Sequence, residues 1–239
     1  MAFKQFLLDD QVTVKIYKRK SNRNLRLSIG SSGEVRVSMP LWAPYSSGIV
    51  FAKSKLTWIK SQQKQPNLLI HNQSVGKAHH LVFIPNKDSK LSGRIVDNEI
   101  RIKHPEQLDT SHDLVQAAAT KTSIKALRSQ AVQLLPRRLS ELSMQHGFEY
   151  HNVTIKKLKS RWGSCDQKSN IVLNLYLVQL PWELIDYVLI HELVHTKVMR
   201  HGSDFWEVMQ HEIPNLKSVK AQIKIYQPVL HGSTSADVA

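Results

Sequence analysis

The segment His191-Glu192-Leu193-Val194-His195 constrains the fold more than any other part of the sequence. In a helix, residues four positions apart lie about 40° apart around the axis and one turn apart along it, so both imidazoles can face one point. Glu192 then lies about 100° round from His191. Zinc hydrolases use this arrangement, in which histidines hold the ion and a carboxylate takes a proton from water. We therefore predict a helix that carries a metal site.

The spacing indicates His201 as a third ligand. If the helix simply continued, it would carry His201 about 9 Å beyond His195 along the axis. The helix is therefore expected to end near Val198–Arg200 and the chain to turn back, with Gly202 as a flexible residue. The other ligand candidates in the segment that follows are Asp204, Glu207, His211 and Glu212.

Apolar residues surround the histidines, which predicts a largely buried helix. They are Val188, Leu189, Ile190, Leu193, Val194 and Val198. A buried His–Glu–His set is costly unless something binds it, so this context favours a metal site over a solvated surface helix.

Composition limits the cellular setting and the kinds of partner. The 33 Lys and Arg exceed the 19 Asp and Glu, which gives a formal net charge of +14 and suggests an anionic partner: nucleic acid, a nucleotide or an acidic protein. The alternative is the ordinary solubility of a basic protein. A single cysteine excludes an internal disulfide. Since neither a signal peptide nor a membrane span is apparent, we expect a cytoplasmic protein without a membrane partner.

Hydrophobic periodicity predicts an α+β protein in three regions. Residues 1–108 form a strand-rich N-terminal region with one helix from Ser46 or Ser47 to about Gln63, and with a hairpin turning at Gly30–Gly33. Residues 109–230 form the metallohydrolase core, and residues 231–239 are expected to be a disordered tail. No internal repeat is apparent.

Helical patterns dominate the core region, around a few strands. A long helix from Asp109 is expected to be kinked or broken at Pro136. Strands are predicted at Val153–Ile155 and at Ile171–Leu177. The segment Ser160–Asp166 lies between them.

Two stretches together resemble a known family. They are Arg161-Trp162-Gly163-Ser164-Cys165 and the run from Asp186 through the histidine segment to His201 and Phe205-Trp206. Over nearly the whole chain, the sequence resembles the YgjP-like metallopeptidases, which are related to the SprT-like zinc proteases. The resemblance implies a zincin-like core with a short mixed sheet, with His191, His195 and His201 as zinc ligands and Glu192 as general base.

The remaining residues near these stretches keep more than one interpretation. Arg161 is a candidate for binding an anionic substrate group or an oxyanion, and its alternative is a structural ion pair. We interpret Cys165 as a small buried residue and Trp162 and Tyr187 as packing residues.

The leading hypothesis is a zinc-dependent metallopeptidase in which Glu192 activates the zinc-bound water for attack on a peptide bond. An extended peptide or protein substrate would pair with an edge strand, for which Ile171–Leu177 is the candidate. One alternative is a metal-dependent nucleotide hydrolase that acts on phosphoanhydrides. Another is a DNA-associated protease or a binding module with structural zinc, which the basic charge favours.

Overall fold

A computed structural model describes residues 3–9, 12–29, 34–62 and 68–230. In this part of the chain, six α-helices and three small mixed sheets confirm the predicted mixture of helices and strands. Two compact units divide the chain, one over residues 1–67 and one over residues 68–239. Strands of the predicted region 1–108 therefore occur in both units, and the regional division stays a prediction. The predicted tail 231–239 and the turn Gly30–Gly33 lie outside the described residues.

The first unit is one four-stranded sheet followed by helices. Its elements are β1 (Phe3–Leu7), β2 (Thr13–Arg19), β3 (Arg26–Ile29), β4 (Val35–Pro40), α1 (Tyr45–Ser54) and α2 (Leu56–Gln62). The strand order is β1-β2-β4-β3, with β2 and β4 parallel and the other pairs antiparallel. The predicted hairpin is therefore present as β3 and β4. The single predicted helix is two helices, because Lys55 leaves the helical conformation.

The second unit begins with another four-stranded sheet. Its strands are β5 (Ser74–Val75), β6 (His79–Asn86), β7 (Ser92–Val96) and β8 (Glu99–Pro105). Their order, β5-β6-β8-β7, and their directions repeat those of the first sheet. The equivalent strands β4 and β8 also share a sequence pattern, since residues 34–40 read EVRVSMP and residues 99–105 read EIRIKHP. A structural repeat is thus present where the sequence alone indicated none.

The helix α3 (Asp113–His146) follows and contacts both the second sheet and the elements around the histidines. Of the two outcomes expected at Pro136, the break is wrong, because one continuous helix passes through this residue, and the kink stays a prediction. Proline removes only the hydrogen bond to the carbonyl of Val132, and Val132 lies on the exposed side of the helix. Gly147 ends the helix in the left-handed conformation, with φ of 64°.

A third sheet and three helices complete the unit. They are β9 (Asn152–Lys156), β10 (Gly163–Cys165), β11 (Asn170–Asn174), α4 (Trp182–Val194), α5 (Ser203–Glu212) and α6 (Leu216–Gln222). The order is β10-β11-β9, so β11 is the central strand and Ile171–Leu177 cannot be the substrate-pairing edge. The strand ends at Asn174, and a 3-10 helix over Leu175–Gln179 follows it. The free edge nearest α4 belongs to β10, which the sequence did not identify as a strand.

The side chain of Gln130 in α3 hydrogen-bonds the backbone around the turn between β5 and β6. Its Oε1 accepts hydrogen bonds from the N–H groups of Lys77 (2.6 Å) and Ala78 (3.2 Å), and its Nε2 donates to the carbonyl of Val75 (2.9 Å). Replacing Gln130 by leucine leaves these groups unpaired, so we expect the free energy of unfolding to fall by about 2–4 kcal/mol. Urea unfolding measures the loss. The exposed Gln133 of the same helix is the control, and its leucine variant should stay within about 0.5 kcal/mol. Equal stability of the two variants would contradict the assignment.

Candidate metal centre

The helix α4 places the first two histidines. Pro181 precedes its first turn, where the missing N–H costs little, and apolar residues bury most of its surface. Asp186 anchors the helix to α3 through two hydrogen bonds from the guanidinium of Arg138, at 2.8 and 2.7 Å. The helix presents His191 in its last turn and His195 at its C-terminal boundary.

The chain turns back after His195 and brings His201 to the same point. Helix α4 ends at Val194, earlier than the predicted Val198–Arg200, and hydrogen bonds of the 3-10 type tighten the exit from it. The Nε2 atom of His201 lies 3.0 Å from Nε2 of His191 and 3.1 Å from Nε2 of His195. The three histidines predicted as ligands are therefore together in space.

The three imidazoles fit a metal ion. Adjacent nitrogen ligands of a tetrahedral zinc lie about 3.3 Å apart when each Zn–N bond is about 2.0–2.1 Å, close to the separations seen here. Burial, followed by the nearby His195 and His201, lowers the pKa of His191 to about 3, so this ring is in the neutral form that binds metals. Nδ1 of His195 can donate to the carbonyl of Val198 at 3.1 Å, which leaves Nε2 as the ligand atom. Within the described ranges, these three residues are the only group of His, Cys, Asp or Glu with metal-binding spacing.

Two aromatic residues of α5, Phe205 and Trp206, pack against the imidazole rings. The ring centre of Phe205, which is fully buried, lies 4.7–4.9 Å from those of all three histidines. Trp206 stacks on His201 at 5.9 Å with an interplanar angle of 29°, and Nζ of Lys220 lies 3.3 Å from the centre of the Trp206 ring. His201 is exposed and lies in a loop, so this stack restrains the most exposed of the three rings.

Glu192 lies beside the histidines as a buried carboxylate. It is 5% exposed, and its Oε2 has no hydrogen-bond partner among the described residues. In the metal-free protein, burial raises the pKa of Glu192 to about 8, against the opposing charge of Arg161. A divalent cation held by the three histidines would lower this pKa towards the ionised form that a base requires. An unpaired buried carboxyl is costly unless a ligand or a solvent molecule uses it. The arrangement therefore suits proton transfer at a water molecule beside the three imidazoles.

Strand β10 runs along Glu192. Side chains alternate along a strand, so Gly163 and Cys165 share one face, and Arg161 lies two residues before the strand begins. Arg161 and Cys165 both interact electrostatically with Glu192, and a Cβ added to Gly163 would meet its Oε1 at 2.6 Å. Arg161 is exposed and near Glu192, as its predicted role requires. Cys165 is half-buried, and burial raises its thiol pKa to about 11, so it is in the unreactive form.

Gly163 is a site residue that sequence reasoning missed, although it lies within the segment Arg161–Cys165 that carries part of the family resemblance. Replacing Gly163 by alanine would place a methyl group 2.6–2.9 Å from three atoms of Glu192 and displace its carboxylate. If Glu192 transfers the proton as predicted, kcat/KM for peptide hydrolysis should fall by roughly tenfold to a hundredfold, because the carboxylate leaves its productive position. Steady-state kinetics measure this loss, and metal content should be unchanged.

Gly202 provides the matched glycine control for this experiment. A methyl group added there meets no atom within 4 Å, and its φ of −81° suits alanine. The alanine variant at position 202 should keep normal activity. Equal activity of the two alanine variants would show that contact with Gly163 does not position Glu192.

The alternative ligands lie elsewhere. His211 is exposed and hydrogen-bonds Glu212, whose other oxygen contacts His146 at 2.5 Å. Asp204 accepts a hydrogen bond from Ser203, and Glu207 lies exposed on α5. None of the four belongs to the metal-binding group found among the described residues. Tyr187 and Trp162 pack against the core, and the ring of Tyr187 also lies 6.1 Å from that of His191.

The sequence of the chain matches a family model over residues 23–226, and that model describes the YgjP-like metallopeptidase domain. The chain belongs to the YgjP-like metallopeptidase family. This membership identifies the protein as a metal-dependent peptidase, and so as a hydrolase of peptide or protein substrates that uses a divalent metal. The predicted family resemblance is therefore confirmed.

Two solved structures are similar to part of this YgjP-like chain. One is the metallopeptidase zymogen of Pyrococcus abyssi abylysin, with 26% identity and a TM-score of 0.35 over 38% of this chain and 93% of that chain. The other is the metallopeptidase zymogen of Methanocaldococcus jannaschii jannalysin, with 23% identity and a TM-score of 0.35 over 38% and 94%. A comparison with curated protein sequences found no significant match. Within the described ranges, no helix combines the length and apolarity needed to cross a bilayer.

Proposed function

We propose that this protein is a zinc-dependent peptidase in which His191, His195 and His201 hold the metal and Glu192 acts as general base. The observation that carries the proposal is the convergence of three imidazole nitrogens within 3.0–3.1 Å beside a buried, unpaired carboxylate. Membership of a metallopeptidase family supports the same reaction.

Zinc is the metal that the donor set favours. Three neutral imidazoles form the protein part of a tetrahedral catalytic zinc site, which leaves one coordination position open. Structural sites are instead closed by four protein ligands. When bound, zinc polarises a carbonyl and lowers the pKa of water towards neutrality.

Glu192 supplies the proton transfer. Its carboxylate takes a proton from the attacking water and returns it to the leaving amine, so that one residue serves as base and then as acid. Arg161, which precedes β10 and interacts electrostatically with Glu192, would stabilise negative charge on the substrate oxygen or bind an anionic side chain of the substrate. Burial of Glu192 excludes competing bulk water from this transfer.

The free edge of β10 is the proposed docking position for the peptide. The backbone N–H of Asn174 donates to the carbonyl of Trp162, and the backbone N–H of Asp166 donates to the carbonyl of Asn170. In an antiparallel ladder these bonded positions alternate, so the N–H and C=O groups of Gly163 and Cys165 point away from β11. A peptide that adds a strand there would run past Glu192, and its scissile carbonyl would lie near the three histidines.

A side-by-side substrate test separates this proposal from its main alternative. The zinc-loaded enzyme should cleave an unfolded protein or members of a peptide library and leave nucleoside triphosphates intact. Mass spectrometry follows peptide products, and phosphate release follows nucleotide hydrolysis. Hydrolysis of nucleotides without peptide cleavage would replace the proposal with a phosphoanhydride hydrolase at the same metal centre.

A further inference from the structure

Positive charge is concentrated in the first unit of the chain. Residues 1–67 contain twelve Lys and Arg and three Asp and Glu, a formal net charge of +9, whereas residues 68–239 carry only +5. The excess therefore lies mainly outside the unit that holds the three histidines. A field of this sign draws polyanions to the surface that carries it.

One face of the first sheet presents part of this charge to solvent. Val14, Ile16 and Val37 point to the core, where α1 packs, so the residues between them point away. The strand register arranges the outward residues in two rows across the four strands. One row is Gln5, Lys15, Arg36 and Ser28, and the other is Phe3, Tyr17, Ser38 and Arg26. These eight residues define the outer face of the first sheet.

Two aromatic rings lie side by side on this outer face. Phe3 and Tyr17 are register partners with ring centres 5.4 Å apart, and Phe3 is 43% exposed. Nζ of Lys15 lies 4.9 Å from the centre of the Phe3 ring. In the second sheet Ile84 of β6 takes the position of Tyr17, and β5, the equivalent of β1, consists only of Ser74 and Val75. The aromatic pair is therefore not required by the repeated topology.

The cations of the outer face are available to a ligand. Arg26 is exposed, and the Arg36 side chain is 50% exposed. Glu34 pairs with Arg36 and, at 2.7 Å, with Lys15. The side chains of Lys15 and Glu34 are 29% and 23% exposed, and ion pairs at the surface are weak, so a phosphate could replace Glu34 as the partner of either cation.

The exposed ring of Phe3 and the partly exposed ring of Tyr17, beside cations, match the chemistry of a single-stranded nucleic acid. Its unpaired bases can stack on aromatic side chains while its phosphates bind Lys and Arg. A duplex keeps its bases stacked inside and offers mainly phosphates. We propose that the outer face of the first sheet binds single-stranded nucleic acid, with bases on Phe3 and Tyr17 and phosphates on Lys15, Arg26 and Arg36.

Binding of fluorescein-labelled oligothymidylate of about twelve nucleotides to the full-length protein tests this inference, with anisotropy as the readout. The single strand should bind at least about tenfold more tightly than a duplex of equal length. Tyr17→Ala should weaken binding by about tenfold, and Tyr17→Phe, which keeps the ring, should restore it. Arg26→Ala should lower the slope of log K against log salt by about 0.7.

Lys103→Ala is the matched control, because Lys103 is exposed on the equivalent face of the second sheet and its loss changes the charge equally. It should leave the slope and the affinity nearly unchanged. Circular dichroism confirms that each variant is folded, and Arg26→Ala supplies the test if Tyr17→Ala is not. Equal binding of single strand and duplex would overturn the proposal. So would normal binding by the variants, or variant-sensitive binding to phosphatidylserine vesicles in place of the oligonucleotide.

Discussion

Glu192→Gln is expected to reduce the peptidase kcat/KM by roughly 10²- to 10⁴-fold while the metal stays bound. The amide keeps the size and the burial of the carboxylate, but it cannot accept a proton at neutral pH. Glu192 is not a member of the metal-binding group, so its replacement by glutamine should change the zinc affinity much less than the loss of a histidine does. Steady-state kinetics on a cleaved peptide and elemental analysis of the same sample measure the two quantities together.

Glu207→Gln is the matched control for that experiment. Glu207 lies exposed on α5, and its replacement removes the same charge from the same unit. Its kcat/KM should remain within about twofold of the parent value, as expected for a surface substitution away from the site. A Glu192→Gln enzyme with full activity would withdraw Glu192 as the base, whatever its metal content.

His201→Ala is expected to weaken zinc binding by more than about a hundredfold and to abolish peptide hydrolysis. Loss of a residue that merely orients a ligand costs about 10- to 100-fold in metal affinity, so loss of a ligand itself should cost more. His201 is exposed and lies outside the helices, so the apoprotein should stay folded. Competition with a chromophoric chelator measures the affinity, and circular dichroism reports the fold.

His211→Ala distinguishes this assignment from the main alternative on α5. His211 is exposed and contacts Glu212, away from the three converging nitrogens. Its alanine variant should bind zinc with the parent affinity. The reverse result, with zinc lost from the His211 variant and kept by the His201 variant, would move the third ligand to α5.

Local sequence signals predicted the presence of several helices and strands better than they predicted where each one begins and ends. The hairpin of β3 and β4, the strand β9 and the helix α4 were all expected. Pro136 does not end α3, because a proline in a long, packed helix removes one hydrogen bond, here the bond to the carbonyl of the exposed Val132. The strand β10 was missed, because three residues around a glycine give no period.

Some functional residues could be predicted from the sequence, and others became apparent only from distances in the structure. Arg161 was weighed because charge has an obvious chemical use, and the structure brings it near Glu192. Gly163 has no side chain to suggest a role, so only its distance to Glu192 reveals one. The rows of the outer face depend on strand register, which places Phe3 beside Tyr17. No single stretch of the sequence contains that pairing.

The sequence by itself determined that His191 and His195 face one point, because helical geometry relates residues four positions apart without help from the rest of the chain. It also determined the uneven distribution of charge between residues 1–67 and residues 68–239, because this follows directly from composition. The tertiary structure decided that His201 returns to that point, that β10 and not β11 offers a free edge, and that Phe205 lies beneath the rings. These features depend on contacts between segments that are distant in the sequence. The periodicity of one segment predicts its own helix or strand, but it does not predict which other segment packs against it.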